Sequence, residues 1–103
     1  MTMNFAQYQT EDRRLVLLTA LAAAAQYRAN AYLLRRFCDQ VGHTASADQI
    51  AGDLAWLAEA GLTTTTTGLP VPDVVVATLT SRGLDVADGR AVHPGVAKPR
   101  PTA

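Results

Sequence analysis

The sequence predicts a mainly α-helical protein with a small β-hairpin, in the order helix–helix–helix–strand–strand–helix of a winged helix-turn-helix. The first observation is that residues 10–61 hold three segments with apolar residues at helical spacing, the last two joined by a short link. The second is that residues 62–80 change to two β-branched runs, separated by a stretch that contains glycine and proline. A chain of 103 residues is long enough for one such domain.

The first helix is predicted to begin after Thr10, a residue type that caps helices, and to run to about Tyr27. Residues 1–9 would then be a loosely held arm. Apolar side chains cover two faces of this helix, and Leu17 and Leu21 lie on the second face. Because a helix with two apolar faces needs two partners, we expect a homodimer with Leu17 and Leu21 in its interface.

The second and third helices carry capping signals. Asn30 precedes a helix predicted over residues 31–41, and Ser46 with Gln49 forms a capping-box pattern that opens the third helix. Gly61 ends the third helix. The stripes predicted to face the core are Leu34, Phe37, Cys38 and Val41 in the second helix and Ile50, Leu54, Leu57 and Ala58 in the third.

The β-branched runs predict strands over residues 62–67 and 74–80, joined by a six-residue tip at 68–73. Thr80 can cap a short last helix that ends near Asp88. The predicted division of the chain is an arm at residues 1–9, a winged-helix domain at 10–90 and an extended, proline-containing tail at 91–103.

Composition narrows the function classes. Nine Lys and Arg balance nine Asp and Glu, so the chain lacks the basic excess of a free-standing, non-specific nucleic-acid binder. The apolar run at residues 15–25 is too short to span a bilayer, and no basic segment precedes it as in a signal peptide. We therefore expect a soluble, cytoplasmic protein.

No set of residues predicts catalysis. His43 and His93 fall in a turn and in the tail, Cys38 lies on a core stripe, and no metal-ligand spacing joins them. Ser46 and Ser81 are explained as a helix cap and a first-turn residue. No phosphate-binding loop pattern is present. The sequence therefore predicts no enzyme, no metal site and no cofactor.

Two stretches carry a family resemblance. Residues 53–62, DLAWLAEAGL, resemble the junction of recognition helix, glycine and strand in winged-helix proteins, and residues 79–83, LTSRG, resemble the corner after the wing. Together with residues 83–92 and 94–96, they resemble a family of small proteins encoded by Mu-like phages and prophages. The resemblance implies the winged-helix fold, a phage origin and a description as a phage protein or regulator.

Binding of DNA, and with it transcription regulation, is the usual work of this fold, in which the third helix enters the major groove. Here that helix carries Asp48, Asp53 and Glu59 without a cation, so its charge opposes docking on phosphates. Gln49 could contact an adenine edge, although its place in the capping box also explains it. The residues predicted to contact nucleic acid are Arg28, Arg35, Arg36, Gln49, Lys98 and Arg100.

The competing function is that of a protein-interaction adaptor, which keeps the fold without binding DNA and docks on a phage or host protein. Trp56 is predicted at the edge of the buried face, where it either covers the core or anchors a protein partner. Leu69 and Val71 form an apolar tip of the wing and could extend that contact.

Overall fold

The computed structural model describes residues 4–68 and 71–100. Within these ranges the chain is mainly helical, with a three-stranded antiparallel sheet in the order β1-β3-β2. The elements are α1 (Phe5–Ala23), a 3-10 turn (Ala25–Tyr27), β1 (Arg28–Asn30), α2 (Ala31–Gln40), α3 (Ala47–Glu59), β2 (Thr63–Gly68), β3 (Val71–Leu79) and α4 (Ser81–Ala87).

Helix α1 begins earlier than predicted. Asn4 and Gln7 form a capping box, in which the Gln7 amide donates to the Asn4 side chain and the Asn4 amide donates to the Gln7 side chain. Residues 5–9, expected as part of an arm, are therefore the first turns of the helix. Thr10 lies inside the helix, where its hydroxyl donates to the backbone rather than capping an end.

Strand β1 is the element that the sequence pattern did not predict. Gln26 and Tyr27 have positive φ angles of 57° and 58°, and they turn the chain from α1 into a strand of three residues. That strand pairs with β3, Arg28 opposite Thr78 and Asn30 opposite Val76. So short a strand leaves no readable alternation, and only its pairing defines it.

The caps of the later helices are confirmed. The Asn30 side chain accepts from the Leu33 amide, Ser46 and Gln49 form the predicted capping box, and the Thr80 hydroxyl accepts from the Gly83 amide. Each cap bonds within three residues, which is why the local sequence predicts it.

The predicted core stripe of α2 is half right. Leu34 and Cys38 are buried, whereas Phe37 is 38% exposed and Val41 is 49% exposed. Val41 is already the C-cap residue, and Phe37 lies at the edge of the stripe, so the helices packed on α2 leave both partly in solvent.

The hairpin is longer and its tip shorter than predicted. Strand β2 pairs with β3 from Thr63 opposite Leu79 to Gly68 opposite Val71, with an irregularity between Thr67 and Gly68. The predicted six-residue tip therefore includes paired residues. Leu69 and the side chain of Val71, expected as partner contacts, lie outside what the structure describes.

The core lies between α1, α2, α3 and the inner face of the sheet. Leu17 and Leu21 are fully buried in it, together with Leu18 of the other apolar face. The expectation that Leu17 and Leu21 form a subunit interface is therefore wrong, because α2, β3 and α4 of the same chain pack on α1 and leave neither side chain accessible. Homodimerisation itself stays a prediction.

The segment after α4 packs against α1 instead of extending freely. Val96 is 6% exposed, the Ala97 amide donates to the Glu11 carbonyl at 3.1 Å, and an Arg14 Nη donates to the Gly95 carbonyl at 3.0 Å. These contacts place residues 95–97 along the first half of α1. Over the described ranges, no helix has the length and apolar character needed to cross a membrane.

Candidate nucleic-acid interface

Asp53 is not a surface charge of α3. Its carboxylate is buried and accepts from Arg13 Nε, while Arg14 Nε lies 3.6 Å from its other oxygen. Both arginines come from α1, and their side chains keep only 12% and 17% exposure. The expectation that Asp53 opposes phosphates is therefore wrong, since two guanidinium groups of the same chain neutralise it.

Trp56 is engaged by its own chain. The Arg14 guanidinium carbon lies 3.9 Å from the ring centroid, and the His93 ring meets the indole edge-on at 5.4 Å. Gly95 packs so closely that a Cβ there would lie 2.7 Å from the indole. These contacts favour the interpretation that Trp56 covers the core over the interpretation that it anchors a protein partner.

Two further cations are paired within the chain. Arg90 contacts Asp85 at 3.4 Å and Asp88 at 2.6 Å. Arg100, predicted to contact nucleic acid, lies 3.3 Å from Asp12. That same carboxylate is 2.6 Å from Nε2 of His43, so Asp12 joins the C-terminal segment to the link before α3.

The remaining cations are exposed, and among the described residues none has a carboxylate within 4.0 Å. Arg28 lies on β1, Arg35 and Arg36 on α2, Arg82 at the start of α4, and Lys98 in the C-terminal segment. Three of these five therefore fall in the continuous stretch from β1 to α2. The sequence-based choice of Arg28, Arg35, Arg36 and Lys98 agrees with their exposure.

Arg35 and Arg36 line one surface cavity of about 410 Å³, at the junction of α2 with the link to α3. Arg35 Nε donates to the Ala45 carbonyl at 3.0 Å, and the Arg36 guanidinium lies over the Tyr32 ring at 5.8 Å. The sequence analysis missed Tyr32 and Thr44, although the four-residue spacing of Tyr32 and Arg36 is a signal for contact on a helix. The cavity is lined by Tyr32, Arg35, Arg36, Asp39, Gln40, Thr44 and Ala45.

The solvent face of α3 offers no counterpart to this basic cavity. Gln49 is held in the capping box, where its side-chain oxygen accepts from the Ser46 amide at 2.9 Å. The charges on this face are the carboxylates of Asp48 and Glu59. The other exposed positions are small: Ala47, Ala51, Gly52 and Ala55.

An exposed apolar surface is formed by residues at the start of α1 and the end of α2, and the sequence analysis did not find it. Phe5 is 72% and Tyr8 52% exposed, and with Val41 they line a cavity of about 440 Å³. Val41 and Phe37 line a second cavity, of about 330 Å³, that shares Asp12 and Arg100 with the first. Phe5 and Tyr8 were assigned to an arm and Phe37 and Val41 to the core, so their patterns could not reveal a joint surface.

Cys38 is fully buried, and burial raises the pKa of its thiol from about 9 to about 11. The nearby Arg13 charge lowers this pKa and Asp53 raises it, both less than burial does. The thiol is therefore protonated at neutral pH, as in a structural cysteine. In the part of the chain that the structure describes, no three His, Cys, Asp or Glu side chains come together in an arrangement that could hold a metal ion.

These features define a small, mainly helical protein in which, among the described residues, three of the five cations without a carboxylate partner lie on β1 and α2. No protein-family model matches the chain. It is 46% identical over 94 residues to the uncharacterized protein gp26 of Escherichia phage Mu, covering 91% of this chain and 94% of that protein. It is 40% identical over 62 residues to an uncharacterized protein of Haemophilus influenzae, strain Rd, covering 60% of each. The chain therefore belongs to the family of Mu-like phage proteins that includes gp26, and the resemblance in its sequence is confirmed to that extent.

Proposed function

We propose that the protein is a winged-helix accessory factor of Mu-like phages that binds duplex DNA through phosphate contacts from α2. Support for the winged-helix assignment comes from the short link between α2 and α3, the hairpin β2–β3 that follows, and the helix after it. In such a protein the first helix of the helix-turn-helix crosses the DNA backbone. Binding near a promoter would make the protein a transcription regulator.

One observation carries this proposal: of the five cations that have no carboxylate within 4.0 Å among the described residues, three lie on β1 and α2. Arg13 and Arg14 are tied to Asp53, and Arg90 and Arg100 have carboxylate partners of their own. Arg28, Arg35 and Arg36 are exposed and, as far as the structure describes the chain, have no carboxylate partner, so they can contact phosphates. Since Asp48 and Glu59 stand on the exposed side of α3, α3 contributes repulsion rather than base contacts.

Fluorescence anisotropy with short labelled duplexes tests the proposal. We expect wild-type protein to bind phage and unrelated sequences with similar affinity at ~50 mM salt and much more weakly at ~200 mM. Combining Asp48→Asn with Glu59→Gln should tighten binding, because two like charges are removed. Absence of binding at ~50 mM salt, or loss of binding in the Asp48/Glu59 variant while it stays folded, would overturn the proposal.

The second candidate is the protein-interaction adaptor, and the exposed apolar surface of Phe5, Tyr8, Phe37 and Val41 favours it. Scattered apolar side chains are ordinary on a protein surface, whereas four that line two adjoining cavities are a feature of contact sites. We propose this surface, in place of Leu17 and Leu21, as the contact for a homodimer or another protein. A Tyr8→Gln, Val41→Gln variant, which adds no charge, would assign the surface to protein contact if it keeps DNA affinity but changes sedimentation.

A further inference from the structure

We infer that the cavity between α2 and the link to α3 binds a single phosphate group, held by Arg35 and Arg36 with hydroxyl donors from Tyr32 and Thr44. The inference rests on the proposed function in one respect, that the phosphate belongs to a DNA backbone. The same chemistry fits a free phosphate, and the experiment below separates the two sources.

Arg35 is positioned for this role by the backbone. Its Nε donates to the Ala45 carbonyl at 3.0 Å, which fixes the guanidinium beside the link without using its two terminal amino groups. These two groups are the donors that match a pair of phosphate oxygens. Among the described residues no carboxylate lies within 4.0 Å of them, so the fork is unoccupied by an internal anion.

Arg36 is oriented by an aromatic ring instead. Its guanidinium lies over Tyr32 at 5.8 Å, one helical turn earlier on α2, and both side chains line the cavity that Arg35 enters. Contact with the ring limits the conformations of a long side chain and so reduces the entropy lost when it binds an anion. The two arginines of α2 that have no carboxylate partner thus share one cavity.

Other groups of the lining fit an oxyanion, with one exception. The Tyr32 and Thr44 hydroxyls and the Gln40 amide can donate hydrogen bonds, and the cavity volume of about 410 Å³ admits a phosphate with its attached sugar. Asp39 also lines the cavity and opposes an anion. The net charge of the lining is therefore +1, and removing the carboxylate should strengthen phosphate binding.

The alternative is that Arg35 and Arg36 are solvated charges that attract DNA only through their contribution to the overall field. The phosphate pocket and the field effect predict different results for an Arg→Lys substitution. Arg→Lys keeps the charge but removes the planar fork, so a field effect survives the exchange and a phosphate pocket does not. Arg82 provides the matched control, because it is also exposed and has no carboxylate partner among the residues that the structure describes, but lies at the start of α4.

The experiment has two arms on full-length protein. In the first, amide NMR shifts are followed on titration with inorganic phosphate, with chloride at equal ionic strength as reference. We expect saturable shifts at residues 32–45 in wild type, weaker binding in R35K and R36K, tighter binding in Asp39→Asn and no change in Arg82→Lys. In the second, DNA affinity should fall about tenfold in R35K or R36K. R35A with R36A should reduce the salt slope by about one to two.

The outcomes separate the two proposals. Phosphate shifts at residues 32–45 without DNA binding would leave the pocket standing, assign it to a free phosphate and overturn the proposed function. DNA binding that is weakened by R35A with R36A but unchanged by R35K and R36K would support the function and overturn the pocket. Phosphate shifts spread over all exposed cations would also overturn it.

Discussion

Asp53→Asn isolates the buried ion pair that joins α1 to α3. The substitution keeps the side-chain volume but removes the charge that Arg13 and Arg14 share, and leaves two guanidinium groups facing a neutral amide. Removing one partner of a buried pair costs roughly 3–5 kcal/mol. Since the two arginine side chains keep 12% and 17% exposure, solvent relieves part of that penalty. We expect a loss of about 2–4 kcal/mol in the free energy of unfolding.

Urea denaturation followed by far-UV circular dichroism measures this loss, and a thermal scan should show the midpoint lowered by roughly 10–25 °C. Glu59→Gln is the matched control, because it removes an exposed carboxylate from the C-terminal end of the same helix and should change stability by less than about 0.5 kcal/mol. A loss below about 1 kcal/mol in Asp53→Asn, or equal effects of the two substitutions, would refute the assignment of Asp53 to a buried pair.

Two further predictions concern other buried contacts. Gly95→Ala should lower the free energy of unfolding by about 1–3 kcal/mol, because Gly95 has a φ of +95° and the new Cβ would lie 2.7 Å from the Trp56 indole. The fluorescence emission of Trp56, the single tryptophan, should shift as well. Unchanged emission and stability would contradict the packing of this segment. Burial raises the pKa of Cys38 to about 11, so its stability contribution is complete below about pH 9 and is lost as pH rises through about 11. Comparing wild type with Cys38→Ala across that interval measures the loss, and parallel profiles would contradict it.

The elements that the sequence predicted are those whose determinants lie close together in the chain. Asn30, Ser46 with Gln49, and Thr80 each bond within one turn, so their residue types and spacing suffice to place a helix start. The same logic shows why the start of α1 was missed. Thr10 followed by carboxylates is a good cap signal, yet Asn4 and Gln7 form a complete capping box upstream, and the helix continues through Thr10.

The determinants that escaped prediction are long-range. Arg13 meets Asp53 forty residues away, and Arg100 meets Asp12 eighty-eight residues away. Local pattern places both acids on helices but gives no information about such partners. Of the candidate site, Arg35 and Arg36 could be predicted from charge and helical position alone, whereas the cavity also needs Thr44, which α3 packing brings beside α2.

Ion pairs within the chain determine which charges of this electrically neutral protein remain available for binding. Nine cations and nine carboxylates cancel in the sum, but within the described residues four of the cations are paired with Asp12, Asp53, Asp85 and Asp88. Among the described residues, Arg28, Arg35 and Arg36 outnumber Asp39 on β1 and α2, whereas the solvent face of α3 carries only the carboxylates of Asp48 and Glu59. On the proposed function, this separation orients the molecule on DNA with α2 toward the phosphates and α3 turned away. A neutral chain can then bind a polyanion with one helix while the next helix prevents insertion into the groove, and binding without base recognition follows from that geometry.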